Sequence, residues 1–402
     1  MARFLIAFAL TLTPTLTLSA GDWPQFLGLN RDNSTAETVA PWKGDLKPVW
    51  KKTVGESHSS PVIADGVVYA FYQPKDKNAD ALAAFDAKTG KIKWEKSYER
   101  PEFKPPFGNG PRGTPAVSGG KVFTYGGTGV VACWDTKTGE VDWKVEALKD
   151  FGGKNLFFGT SASPLVSGDK VVVLVGAKGA GIVALDAKSG KTAWKATDDP
   201  ASYASPTIIN EQIVALTGSN VRGLGTDGKQ LWAVPFRDLL NESSTTPLSA
   251  GGMIFASSVT AGSIAVKVTS DGKAEKVWEN KALTCYFSTP VVVGDYLYMV
   301  NGSITAKSIV LRCVELKTGK LVWEKKDVGK YHAAIMRCGP AGKEQLLMLD
   351  DNGFLTLFEA NPKEFKELAR SKVCGNTWAH PALVDGKLYL RDDKELMCFE
   401  LK

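Results

Sequence analysis

No run of basic residues stands out in the 402-residue chain, and 49 Lys and Arg against 43 Asp and Glu leave a net charge of only +6. That argues against the concentrated positive field of a nucleic-acid-binding surface. Beyond the first twenty positions no stretch is apolar enough to cross a bilayer, so no membrane span is expected. Helical periodicity is missing as well. There is no Cys-x-x-Cys-His for a covalent haem. Gly108-Asn109-Gly110-Pro111-Arg112-Gly113 matches a dinucleotide fingerprint by letter, but Pro111 interrupts it and no helix follows. Gly176-Ala177-Lys178-Gly179-Ala180-Gly181 lacks the Gly-Lys-Ser/Thr ending of a phosphate loop and reads as a turn.

What stands at the N-terminus is a targeting segment. Met1-Ala2-Arg3 carries one positive charge, Phe4–Leu12 is an apolar core, and Leu18-Ser19-Ala20 is a small-residue cleavage site. Pro14 keeps the apolar run too short to span a membrane. Lipoprotein processing needs a cysteine at the cleavage point, and the first is Cys133. Residues 1–20 are therefore expected to be a signal peptide, cleaved after Ala20, and the mature chain to be a soluble periplasmic or extracellular protein. Of the six cysteines, Cys133, Cys313 and Cys398 share one repeat position with Ala84 and Ala184, the mark of a small buried slot. Cys285, Cys338 and Cys374 fall near repeat edges, where pairing stays open.

Forty glycines and twenty prolines fit a fold with many tight turns. The clearest pattern runs from Ser163-Pro164 to Trp194-Lys195-Ala196, four short strands joined by Gly, Asp and Ser turns. The unit recurs. Ser/Thr-Pro openings place prolines at 61, 115, 164, 206, 247, 290 and 381, and strand-end tryptophans stand at 50, 94, 143, 194, 232, 278 and 323. The long last proline gap hides a degenerate copy beginning at Tyr331-His332-Ala333-Ala334, with Leu368 in place of the tryptophan, so the openings number eight. The copy opened by His380-Pro381 stops before any tryptophan strand, and Leu46–Lys52 is such a strand without a copy. The expected fold is all-β: an eight-bladed β-propeller of four-stranded antiparallel blades, closed by an N-terminal strand completing the last blade. Residues 21–45 read as an N-terminal strap and 46–402 as a single propeller domain. The turns opened by Asp86, Asp135 and Asp186 lie eight residues before a tryptophan and recur, as structural acids do.

Repeats of the form Leu185-Asp186-Ala187-Lys188-Ser189-Gly190-Lys191-Thr192-Ala193-Trp194, with Ser-Pro at the opening, resemble the pyrroloquinoline-quinone (PQQ) type propeller repeat. The resemblance covers the chain from about Leu46 onward. It implies one of two roles: a quinoprotein alcohol or sugar dehydrogenase, or a non-enzymatic propeller of the BamB type. Asp22-Trp23-Pro24-Gln25-Phe26 with Asn30-Arg31-Asp32 resembles the start of exported PQQ-like repeat proteins and implies no activity. Quinoprotein alcohol dehydrogenases commonly stack the quinone on a disulfide between adjacent cysteines, and this chain has no adjacent cysteines. Nor does an acidic cluster for Ca²⁺ stand at the openings. The resemblance thus implies a protein- or ligand-binding scaffold with no cofactor. A PQQ- and Ca²⁺-dependent dehydrogenase is the alternative.

Loops entering the innermost strands surround one mouth of a propeller's channel. Three positions before each opening proline stand His58, Arg112, Ser161, Tyr203, Ser244, Phe287 and Trp378, with Tyr331 in the degenerate copy. All three histidines, His58, His332 and His380, fall within three residues of an opening, at offsets −3, −2 and −1. The candidate ligand or partner site is His58, Arg112, Tyr203, Phe287, His332, Trp378 and His380. Solvated channel lining is the bland reading of each singly, and a three-histidine metal site a further one, although alternation along a strand works against convergence. The longest connections, Gln73–Ala81, Ser97–Gly113 and Ala147–Ser161, belong to the first three blades and the same face. Phe151-Gly152-Gly153 and Leu156-Phe157-Phe158 put apolar groups there, over the channel or toward a partner. The expected partner is an envelope protein or a small polar ligand, bound by a monomer.

Overall fold

The computed structural model describes residues 21–302 and 308–401, so the expected signal peptide lies outside the described residues. Eight sheets follow one another along the chain, and each is a meander of four antiparallel strands. Blade one comprises Val62–Ala64, Val67–Tyr72, Ala79–Asp86 and Ile92–Glu99. First strands of adjacent blades touch one another, which places them innermost around the channel. Alternation sends side chains to both faces of every blade, and the apolar ones pack between blades. Val62, Tyr69, Phe71, Leu82 and Ala84 of blade one, for example, form one cluster with Val122, Ala132 and Trp134 of blade two. The eighth blade is completed by Pro48–Thr53, which pairs antiparallel with Glu395–Glu400 and sets Trp50 opposite Cys398. The ring closes as the orphan strand requires.

The repeated residues bind each blade to the next. Asp86 Oδ1 accepts from the Thr89 N–H at 2.9 Å, folding the turn whose Gly90 has φ +66°. Onto that glycine lies the indole of Trp50, from the eighth blade, and a Cβ at Gly90 would sit 2.6 Å from the ring. The indole N–H donates to Ala87 O at 3.0 Å. Trp94 does the same to Thr136 O and Trp143 to Ala187 O, each at 3.0 Å. Trp232 departs. It stands opposite Gly223, where the other tryptophan-bearing blades have Ala or Cys, and its ring turns onto that glycine and bonds Gln212 Oε1 of its own blade at 2.7 Å.

Cys133, Cys313 and Cys398 occupy the buried third-strand slot opposite a tryptophan. Cys285, Cys338 and Cys374 are buried too, and all six thiols are free. In the degenerate blade the register moves by one from the sequence alignment. Met336, Leu347, Leu357 and Ala369 pair across the sheet as Val62, Tyr69, Ala84 and Trp94 do. Ala369, not Leu368, therefore holds the tryptophan position, and Leu357 fills the slot from within. Ile335 replaces the opening proline and His332 stands at offset −3.

That blade also has a fifth strand. Its inner strand, Ala333–Cys338, is twice as long as the three-residue inner strands elsewhere, and Ser34–Thr35 pairs parallel with Arg337 and Cys338 at its exposed edge. The residues before it run inside the channel. Trp23 bridges Ile63, the Val117 N–H donates to Pro24 O, and the Arg31 guanidinium reaches Pro164 O and Pro206 O. The first part of the 21–45 segment is thus a plug within the ring, while Glu37 accepts from the N–H groups of Asp385 and Gly386 and Gly44 O accepts from Ser371 Oγ as the chain crosses to its closing strand. Arg31 is fully buried without a carboxylate partner, and burial pulls its pKa down to about 9.

Candidate functional site

Around the mouth, the residue before the opening proline carries, in blades one to four and again in blade six, a hydroxyl whose oxygen accepts a backbone N–H of the preceding blade, while His380 holds that position in blade eight. The His380 N–H donates to Ser60 Oγ at 2.9 Å, Ser60 N–H to Thr114 Oγ1 at 3.0 Å, Thr114 N–H to Ser163 Oγ at 2.9 Å, and Ser163 N–H to Ser205 Oγ at 2.9 Å. This is why the opening is Ser/Thr-Pro: the hydroxyl couples the blades and proline ends the preceding loop. The period of two then turns offsets −1 and −3 to the same side. Both line one chamber of about 100 Å³: Ser60, Thr114, Ser163, Ser205 and His380 from the first set, His58, Arg112, Ser161, Tyr203, Ser244, Phe287 and Trp378 from the second.

Six of the seven candidate residues thus meet at one chamber. The seventh, His332, does not line it although it stands at offset −3; its ring is 5.3 Å from that of His380. His58 stacks on Trp378 at 5.0 Å and commits its Nε2 to Phe107 O at 2.8 Å, so it does not converge with the other two histidines. Trp378 stacks in turn on Phe287 at 5.4 Å. Phe158, from the long loop after blade two, packs edge-on against Phe287 and Tyr203, both at 5.6 Å, and its N–H donates to the Tyr203 hydroxyl. Together these rings roof the chamber, and Phe26 of the plug lines it and meets the His380 ring at 5.1 Å. Of the apolar groups in the long loop, Phe158 is tucked over the channel and Phe157 points outward. Ala147–Phe151 of that loop is a single helical turn, with Leu148 packed on Gly129.

Burial governs the electrostatics. It lowers His58 and His332 to about 4 and His380 well below the usual histidine value, so all three are neutral at pH 7. Arg112 is pulled down to about 10 and stays charged. Its Nη2 donates to the carbonyls of Pro106, Phe107 and Gly108, and its Nη1 to Gly110 O, which holds the loop in shape. Tyr203 is raised to about 12. No Asp or Glu lines the chamber.

Ser60, Thr114, Ser163 and Ser205 stand out in the sequence only as repeat markers, and they join the site through the strand alternation that also brings in offset −3. Phe26 lies 354 positions from His380 and gave no local sign.

The family model described as outer membrane protein assembly factor BamB matches residues 34–106 and 96–325 of this chain. It ends where blade six ends, before the two blades that carry His332 and His380. Tetrathionate hydrolase of Acidithiobacillus ferrooxidans is 24% identical over 90% of this chain and 78% of that protein. Among solved structures, BamB from Moraxella catarrhalis superposes with a TM-score of 0.64 at 17% identity, over 89% of this chain and 98% of that one. A quinohemoprotein alcohol dehydrogenase from Comamonas testosteroni superposes at 0.66 with 14% identity, over 95% and 80%. Likeness at such identities shows the fold. A quinone with Ca²⁺ asks for carboxylate oxygens and space, and here the chamber has an acid-free lining and a roof of Phe158, Phe287 and Trp378. These residues do not fit that cofactor.

Proposed function

The chain belongs to the PQQ-like propeller family of the outer membrane protein assembly factor BamB, and from that premise we propose that it is an exported scaffold that docks an envelope protein on its channel-mouth face. One observation carries the reading. Loops of this face hold large apolar side chains in solvent: Phe107 is 61% exposed, Phe157 65% and Leu239 81%, with Leu240 and Tyr331 beside them in kind. Solvent-facing aromatics on ordered loops are the usual anchors of protein interfaces.

These anchors are held before any partner arrives. Phe157 packs on Phe158 at 4.9 Å and Phe107 on Trp378 at 5.5 Å. The Leu239 N–H donates to Thr260 Oγ1, and the Asp238 carboxylate accepts from the N–H groups of Leu240, Glu242 and Thr260. Preorganisation of this kind lowers the ordering cost of association. The surface extends past the first three blades, since Leu239 stands between blades four and five. No helix among the described residues is long and apolar enough to cross a membrane.

The test is site-specific photocrosslinking of the full chain in its native envelope. Probes at Phe157 and Leu239 are expected to give one discrete protein adduct, and a probe at Asp65, in a turn on the opposite face, none. Adducts equal at all three positions, or absent from the first two, would overturn the reading.

A further inference from the structure

We propose that the chamber beneath the mouth is a binding site for a small oxyanion, held by the hydroxyl protons of Ser60, Thr114, Ser163 and Ser205 in the field of Arg112. Each of these hydroxyl oxygens is fixed by a backbone N–H of the preceding blade. Each hydroxyl also has one proton to donate, and none of the four meets an acceptor among the described residues. Four donors from four consecutive blades therefore face one cavity with nothing in the protein to receive them. Buried donors without acceptors are costly, so the cavity calls for a guest rich in acceptor oxygens.

Charge selects the kind of guest. Arg112 is the one lining residue charged at neutral pH, and the lining contains no carboxylate. The next cation inward, Arg31, bonds the carbonyls of Pro164 and Pro206, which directly follow two of the ring serines, and it has no acid partner. The acid that acts on Arg112, Glu56, lies outside the chamber lining; toward the chamber the two cations meet no carboxylate, and in a low-dielectric interior that favours an anion. Size limits it further. The chamber, about 100 Å³, far exceeds the space of one water and falls short of the roughly 300 Å³ at which pockets for larger organic ligands begin. A carboxylate, sulfate or phosphate ion matches in size, charge and acceptor count. This goes beyond the docking role, because the chamber lies under the rim and the rim anchors do not line it.

Isothermal titration of the purified mature chain with sodium sulfate, phosphate and acetate, each alone, tests the proposal, with glycerol as the neutral control. At least one anion is expected to bind and glycerol not to bind. Thr114→Val should weaken that binding by about tenfold or more, the value of one charge-assisted hydrogen bond. Thr289→Val loses the same kind of blade-to-blade acceptor, for Thr246 N–H, but lies outside the chamber. It should leave the affinity unchanged. No binding by any of the three ions at millimolar concentration would overturn the proposal, as would equal weakening by the two valine variants. Loss of partner crosslinking with anion binding intact would count against the docking reading alone.

Discussion

The indole of Trp50 lies flat on Gly90 across the seam where the ring closes: Trp50 belongs to the strand that completes blade eight, Gly90 to the turn between the third and fourth strands of blade one. The same stack joins Trp94 to Gly139 and Trp143 to Gly190. A pattern that reads along the sequence as Asp-x-x-x-Gly followed by Trp is, in space, two half-signatures meeting across a blade boundary. Gly90→Ala adds a Cβ 2.6 Å from the indole at a φ of +66°. Gly66→Ala adds one at +70° with nothing nearby. The second should cost about 1 kcal/mol for the left-handed backbone alone, and the first about 2–4 kcal/mol. Urea unfolding of the two variants measures the difference, and equal costs would mean that the stack contributes nothing to closure.

The ring itself was legible because its determinants are local and repeated: a turn acid, a glycine with positive φ, a tryptophan and an opening hydroxyl every forty to fifty residues. The closing strand was legible by subtraction. The degenerate blade was misaligned by one position because its proline and tryptophan are both lost, and only the pairing of Met336 with Leu347 restores the register. The chamber was half legible. Offset −3 stood out for its chemical variety, while the uniform hydroxyls at offset −1 looked like fold alone. The plug was not legible, since Phe26 and Arg31 act through contacts that no short pattern encodes.

Gly223 and Trp232 offer a separate test of packing. A Cβ on Gly223 would fall 2.2 Å from the indole, and Gly223 has no positive φ to complicate the result. Gly223→Ala should therefore cost about 1–3 kcal/mol by overpacking. In a Trp232→Leu background the same substitution should be close to neutral. A double-mutant cycle in thermal unfolding checks this, and additive effects would show that the ring does not rest on that glycine.

Arg31 ties the plug to blades three and four by reaching two carbonyls and Gln25 Oε1 at once. A lysine keeps the charge and loses the planar fork, so Arg31→Lys should lower stability by about 1–3 kcal/mol. The loss should be local first. Amide exchange should quicken at Ile63 and Val117, whose N–H groups donate to Trp23 O and Pro24 O. Protection unchanged at those two amides would mean that the plug is held by its apolar contacts and not by the guanidinium.

The buried histidines make stability depend on pH in a stated direction. His332 has a folded pKa of about 4 and His380 lies well below its ordinary value, both through burial. The unfolded chain takes up those protons near pH 6.5 and the native chain does not, so the unfolded state binds more protons throughout the interval. The contribution of each histidine is therefore complete above about pH 6.5 and is lost as pH falls toward 4. Asp80 works the other way: burial raises it to about 6, and its protonation favours the folded state as the solution acidifies. The net acid limb mixes the two signs, so the informative quantity is a difference between proteins. His332→Gln should remove on the order of 2 kcal/mol from the stability lost between pH 7 and pH 5, whatever its effect at pH 7. Urea unfolding of the wild type and the variant at both pH values measures that difference. An identical acid loss in the two proteins would show that His332 titrates natively as it does unfolded, and that the mouth of the channel is wetter than its packing implies.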